Sequence, residues 1–587
     1  MEEAQKIKKK MIIYAISSKE RLFIRFTKYI SEVYFVTRRR SEQDIKILGR
    51  LKRSKMLNSI SYKNSIHPQN KPFFYSILKY QGRYLKEVNP KFRRSEYFVL
   101  VIKCIIFLRR IENAILLTNS IGSWKIFLYC TCLRKLTIQV ENPIRDRDKQ
   151  HDVGSAWIRS NLNRFKRHVS CLQNLETLRI ESSINSVFLA LMRSLGTHQH
   201  ILQRLKSFDL KVAEIKQDQI SNYKRVFINN NLLQHLSTLN YSTPFSKNEV
   251  NSLMNAIQHD SHLKRLMLTF DGEEISDWTC LSKIGHLQNL EDLHLTVLST
   301  ISHFGKSFFQ NFTLAKNLKR IELTLDRIDN LDFENIQKEL SNFYKDWQIL
   351  ERLEDFYLIA TLQKVSQDFM RIILEVLHRI KSLVTLQLVV QERKKKQSSY
   401  VFPFADFMNS ASHLFSTLED LHLEVPRLSF ENLEKRSSVI RKLANLTLKS
   451  DFAYTNCVNQ FLGNLKPRDC FTLKFHRQKL DHNEFRNQIE TIKTIPKLSI
   501  LKMSFLIYKQ NSDEMIRDIC ELLRDTMETK VVFLQFENLL LTSNQLDQIE
   551  EEFINNPTKI IVRIITKNMD RTFEKPDSHL YYFMDEM

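Results

Sequence analysis

The chain is poor in the residues that interrupt regular structure. Nine glycines and eleven prolines in 587 residues amount to about 3%, against about 12% in ordinary usage. That scarcity excludes collagen-like, glycine-linker and proline-rich disordered classes. The glycines are scattered, and none falls into Gly-x-Gly-x-x-Gly or Gly-x-x-x-x-Gly-Lys-Ser/Thr, so a phosphate-cradling loop is not expected. Cysteine is scarce too. Eight residues, mostly inside apolar stretches, argue against a disulfide-stapled secreted scaffold, and the first ten residues lead into no signal peptide with a cleavage site. An intracellular chain, cytoplasmic or nuclear, is expected. Long apolar runs are missing as well: the longest, Tyr97 to Leu108, is broken by Lys103, whereas a spanning helix needs about 20 apolar residues.

Signatures of catalysis are equally sparse. No Gly-x-Ser-x-Gly elbow, His-Glu-x-x-His helix or kinase signature set occurs. His198 and His200, two apart, cannot share one face of a helix, and Cys130 and Cys132 have no second Cys or His pair at zinc spacing. The sequence therefore predicts a protein that is not an enzyme, with no catalytic residue, cofactor or metal.

What the chain has in excess is positive charge, and it is concentrated at one end. The formal net charge is +23, from 89 Lys and Arg against 66 Asp and Glu. Residues 1–125 hold 28 basic and 9 acidic side chains, net +19, which leaves +4 for residues 126–587. A basic N-terminal region is joined to a nearly neutral body.

The body repeats itself. Leu-x-x-Leu-x-Leu, with apolar substitutes, recurs from Leu133, Leu136, Ile138 through Leu263, Leu266, Leu268 and Leu418, Leu421, Leu423 to Val531, Leu534, Phe536. Most steps between copies lie near 28 residues; the longest are 42 and 35. Apolar residues two apart suit a strand with one buried face, whereas the segments between copies, such as Val458, Phe461, Leu462, Leu465, show helical spacing. One strand and one helix cannot bury their own apolar faces, so neighbouring units must stack into a continuous core.

The copies at 172–180 (LQNLETLRI) and 287–295 (LQNLEDLHL) resemble the leucine-rich repeat family, in particular its long-repeat, ribonuclease-inhibitor-like type. The resemblance implies an α/β solenoid with a curved parallel sheet inside and helices outside, about 14–15 units over residues 126–566, followed by a C-terminal tail at 567–587. One feature departs from the family, which places Asn or Cys nine positions into the motif. Here those positions hold Ser183, Ala213, Asp271, Leu298, Asp326, Thr361, Gln391 and Asp451, which predicts an irregular solenoid. The long steps carry charged insertions at Asn142–Asp152 and Gln391–Ser399, expected as exposed loops.

In such a solenoid the middle residue of each strand motif points away from the core. That column reads Arg179, Asp209, Asn240, Met267, His294, Glu322, Tyr357, Gln387, His422, Thr447, Lys474 and Lys502. Its mixed signs suit a protein ligand better than the uniformly basic groove nucleic acid requires. Met267, His294, Glu322, Tyr357, Gln387 and His422 are the candidate protein contacts.

The N-terminal region supports a second reading. Ser41 and Asp44 resemble a helix-capping start, and Ile45, Leu48 and Leu51 recur at helical spacing with cations outside them. Arg38, Arg39, Arg40, Lys46, Arg50, Lys52, Arg53 and Lys55 on this expected amphipathic helix, with Arg83, Arg93 and Arg94 among aromatic neighbours, are candidate nucleic-acid or anion contacts. A mainly helical cap that closes the open end of the solenoid is the structural alternative for residues 1–125. The resulting expectation is a non-enzymatic protein interaction scaffold. The alternatives are an RNA- or DNA-binding subunit of a ribonucleoprotein or chromatin assembly and, with less support because the region lacks a Leu-Pro start, a ubiquitin-ligase substrate adaptor.

Overall fold

In the computed structural model, the described residues are the strands at 32–35, 59–62, 87–89 and 112–117 together with stretches of each repeat. Those stretches are 130–140, 171–182, 201–212, 236–243, 253–257, 262–270, 279–298, 315–328, 352–362, 370–392, 401–429 and 440–574, with short gaps in several. The chain divides into two compact units, Met1–Glu273 and Glu274–Met587.

The first unit is a ladder of parallel strands. β1 (Glu32–Phe35), β2 (Ser59–Tyr62), β3 (Glu87–Asn89), β4 (Asn113–Leu117), β5 (Lys135–Val140), β6 (Thr177–Ser182), β7 (Ser207–Val212), β8 (Thr238–Thr243) and β9 (Arg265–Phe270) each pair in parallel with the next. β1 to β4 place strands within the region expected to be mainly helical, whose other residues, Glu112 aside, lie outside the described ones. The first residues of β1 to β4 stand 27, 28 and 26 apart, so the repeat period of the body already operates in the basic region. The expected helix from Ser41, with its candidate cations, lies outside the described residues, as do Arg83, Arg93 and Arg94.

The second unit continues the same construction. It contains β10 (Asp292–Val297), β11 (Arg320–Ile328), β12 (Asp355–Leu362), β13 (Thr385–Glu392), β14 (Phe402–Pro403), β15 (Asp420–Glu424), β16 (Leu428–Ser429), β17 (Asn445–Ala453), β18 (Phe471–Leu480), β19 (Leu498–Ile507), β20 (Val531–Phe536), β21 (Ile561–Ile565) and β22 (Asp570–Glu574). β14 and β16 form a small separate pair, and the others from β10 to β21 run parallel in sequence order. β22, from the stretch expected as tail, joins β21 antiparallel.

The motif explains the ladder. Its first, fourth and sixth residues are buried in copy after copy, as in Leu133, Leu136, Ile138 and Leu418, Leu421, Leu423, with at most 1% of their surface exposed. Each such side chain contributes about 1.5–3 kcal/mol by leaving water, and only stacking on the neighbouring repeat removes it. Ahead of most strands, one carbonyl of the preceding repeat accepts two consecutive N–H groups of the next. Glu291 O accepts from the Lys319 and Arg320 N–H groups at 2.8 and 3.0 Å, and Lys319 O accepts from Glu354 and Asp355 at 2.8 and 3.0 Å. Asparagines reinforce this stitching: Asn174 Nδ2 donates to Thr131 O at 2.7 Å and Asn317 Nδ2 to Gln288 O at 2.6 Å. Inter-repeat bonding is thus supplied before the strand. Beyond it, where the ninth-position Asn is missing, some strands run on with register shifts, at Leu325/Ile328 beside Asp326 and at Lys449/Phe452 beside Asp451.

Helices form the second layer. α1 (Asn456–Gly463), α2 (His482–Lys493), α3 (Ser512–Asp525) and α4 (Ser543–Asn555) pack side by side, one between each pair of successive strands from β17 to β21. Capping boxes start two of them, Asp481 with Glu484 on α2 and Thr542 with Gln545 on α4, which satisfies N–H groups that would otherwise lack partners. The buried stripe of α3, Met515, Ile516, Ile519, Leu522 and Leu523, has the three-and-four spacing of a helix with one apolar face. Between the layers, Phe505 stacks on Phe536 at 5.3 Å and meets Phe485 edge-on at 5.1 Å. The architecture is a leucine-rich-repeat-like solenoid.

Candidate protein-binding face

The candidate column is brought into rows by the strand register. In the first unit Thr137, Arg179, Asp209, Asn240 and Met267 stand opposite one another in succession on β5 to β9. In the second unit His294, Glu322, Tyr357, Gln387, His422, Thr447, Lys474 and Lys502 align from β10 to β19, and the row continues through Phe533 to Arg563. Their neighbours in the strands point into the core, so all leave the sheet on the side away from it. Met267, His294, Glu322, Tyr357, Gln387 and His422 therefore sit where their motif position predicts. The row two residues earlier, Asp292, Arg320, Asp355, Thr385, Asp420 and Asn445, shares this face. The sequence reading missed that row, although its period-two relation to the column was available.

The start of the second unit's face is a dense ion network. The Nε2 of His294 lies 2.7 Å from Asp292 Oδ1, and its Nδ1 lies 2.9 Å from Glu322 Oε2. Arg320 donates to the same Glu322 oxygen at 3.1 Å and lays its guanidinium 4.6 Å from the Tyr357 ring centre. Burial alone would lower the pKa of His294, but the two carboxylates outweigh it and push it up to about 9. Glu322 moves the other way, held below the usual carboxylate range chiefly by its contact with His294. A doubly engaged imidazolium has no free ring nitrogen to take a proton, so this His with two acids is not arranged as a general base.

Further along, the signs separate. Asp355 and Asp420 lie on β12 and β15, and Asp420 accepts from Asn445 Nδ2. The middle of the row is nearly neutral, because burial first, and then Lys449 and Lys474, hold His422 below its ordinary pKa. Its Nε2 is buried without a hydrogen-bond partner among the described residues. Glu424 and Lys449 neutralise each other at 2.9 Å. Then come Lys474 and Lys502, directly opposite on β18 and β19. Burial and the neighbouring Lys474 bring Lys502 down to about 8. At the end, Arg563 covers the Phe533 ring at 5.4 Å while pairing with Asp570 at 2.7 Å. The first unit's row is also networked: Arg179 reaches Glu181 at 2.5 Å and Asp209 at 3.3 Å, and Gln139 Nε2 donates to Glu181 at 2.7 Å.

Among the described residues no group of His, Cys, Asp or Glu could hold a metal ion, and no helix is long and apolar enough to cross a membrane. No family model matches the sequence, and no curated protein matches it. Among solved structures the chain is similar to the leucine-rich-repeat ectodomain of the plant membrane receptor kinase GASSHO1/SCHENGEN3 from Arabidopsis thaliana, solved in complex with CASPARIAN STRIP INTEGRITY FACTOR 2. Identity is 11% and the TM-score 0.32, over 91% of this chain and 60% of that one. The chain thus spans 60% of the length of that ectodomain.

Proposed function

We propose that this chain is a non-enzymatic scaffold that grips a protein on the face of its sheet, away from the helices. The observation that carries the reading is the aligned row of polar, charged and aromatic side chains, from His294 to Arg563, raised on a rigid ladder. Interfaces use aromatic and Arg side chains at their centres, with satisfied polar groups around them, and Tyr357 under Arg320 and Phe533 under Arg563 have that composition. The carboxylates of Asp292, Glu322, Asp355, Asp420 and Glu424 on the same face oppose a polyphosphate laid along it. One helix between each pair of strands from β17 to β21, at steps near 28 residues, fits the long-repeat, ribonuclease-inhibitor-like subtype. Cys130, Cys132, Cys171 and Cys520 are free thiols, which fits a reducing, intracellular compartment.

The test is site-specific photo-crosslinking in cells, with a benzophenone side chain placed at Gln387 on the sheet face or at the exposed Glu551 of α4. A defined protein adduct from position 387 is the expected result. Adducts from position 551 alone would move the binding surface to the helices and refute the reading.

A further inference from the structure

The sheet face of the second unit changes character near its C-terminal end. The row that starts at Asp292 is polar on every strand as far as Thr472 on β18, and the register then continues it as Ile500, Val531 and Ile561 on β19, β20 and β21. Phe533 and Ile565 lie on the same face of β20 and β21, two residues on from Val531 and four on from Ile561. Val531 and Ile561 are buried, whereas Ile500, Phe533 and Ile565 keep part of their surface exposed. Apolar side chains gathered on the side of a sheet that faces away from its helices mark a surface that something covers.

We propose that residues 580–584 of this same chain dock on that apolar patch. β22 delivers the chain to the place: antiparallel to β21, it ends with Glu574 opposite Ile561, the last of the three aliphatic positions. Thirteen residues, 575–587, follow outside the described ones. Pro576 has no N–H to give to a strand ladder, and Asp577 and Ser578 favour turns, a composition suited to leaving β22 and doubling back. Leu580, Tyr581, Tyr582, Phe583 and Met584 come next, five large apolar or aromatic side chains in succession. Three strand steps separate β22 from β19, about 14 Å at about 4.8 Å per step. Five extended residues reach about 17 Å, long enough to cross β21, β20 and β19. Alternate side chains of such a segment point opposite ways, and both sets are apolar or aromatic, so either side of it can meet the patch. A segment tethered by a five-residue link acts at an effective concentration of about millimolar, which favours it over a second copy or a separate partner. The docked segment occupies one end of the face that the scaffold reading offers to a protein, and a partner reaching Phe533 and Arg563 has to displace it.

Photo-crosslinking of the purified full chain tests this. A benzophenone side chain in place of Phe533, or of Gln535 on the same face of β20, is expected to link to the 575–587 stretch, as read by peptide mass mapping. In an equal mixture of isotope-labelled and unlabelled chains the link should join fragments of one label only, the mark of a contact within one molecule. Y582D/F583D, with an unchanged circular dichroism spectrum, should cut the yield of that link about tenfold, because a carboxylate does not leave water for an apolar patch. The absence of any link to 575–587 from both positions would overturn the inference. So would links of mixed label, which would make the occupant a second copy, or a yield that the double variant leaves unchanged. No partner is present in this experiment, so its outcome is independent of the adduct from position 387 that tests the scaffold reading.

Discussion

Replacing His294 by Gln tests whether the face is held together by charge. The native imidazole is mostly buried, 16% exposed, between Asp292 and Glu322, and its pKa rises from 6.5 to about 9. A group that binds its proton more tightly when folded stabilises the fold fully below its unfolded pKa and loses that contribution as pH climbs through the folded value. The contribution is therefore complete below about pH 6.5 and gone above about pH 9. A rise of about 2.5 in pKa, at about 1.4 kcal/mol each, sets a ceiling near 3.4 kcal/mol. Glu322, about a third exposed, is partly screened by water, which brings the expectation to about 2–3 kcal/mol. Urea unfolding of the native chain and H294Q at pH 6, 8 and 10, followed by far-ultraviolet circular dichroism, should show a stability difference of about 2–3 kcal/mol at pH 6. At pH 10 it should fall below about 0.5 kcal/mol. A difference that stays constant across the series would show that His294 acts by packing alone and would refute the charge argument.

Three other outcomes follow from the packing and the thiols. F505A removes the ring that stacks on Phe536 and meets Phe485, and should cost about 3–5 kcal/mol in urea unfolding, whereas F505L should keep most of it. D481A breaks the capping box of α2 and should cost about 0.5–2 kcal/mol, with D481S restoring most of the loss. Cys130 is buried and its thiol is pushed up to about 12 by burial, while Cys132 is exposed. A native-state thiol reagent at pH 8, read by peptide mass mapping, should label Cys132 well before Cys130, and equal rates would contradict the burial of Cys130.

The strand half of each repeat was legible because its residues alternate over a short distance and every copy faces the same core: Leu290, Leu293 and Leu295 are buried as their spacing demands. The candidate row was legible for the same reason, since position in the motif decides which face a side chain joins. The region before residue 125 was read differently. There the strands β1 to β4 are three to five residues long, too short to show a period of two, and the residues on which the helical expectation falls lie outside the described ones. The salt network around His294 was not legible either. Asp292 and Arg320 are separated from their partners by single residues within a strand or by a whole repeat, and only the strand register brings Glu322 beside His294. The separation of signs between β15 and β18 likewise emerges only when the register sets residues more than 50 positions apart, such as Asp420 and Lys474, on one face.

A ladder in which every rung is a template for the next has no internal reason to stop, and β22 supplies one. After the parallel strands up to β21, it lies in the opposite sense, is five residues long, and has Asp570 and Arg571 exposed. Another copy's ladder cannot extend the parallel series across it, and its charges oppose any strand that tries. A chain cut before residue 570 would present β21 as an open parallel rung. The antiparallel strand thus closes the sheet edge that β21 would otherwise leave open.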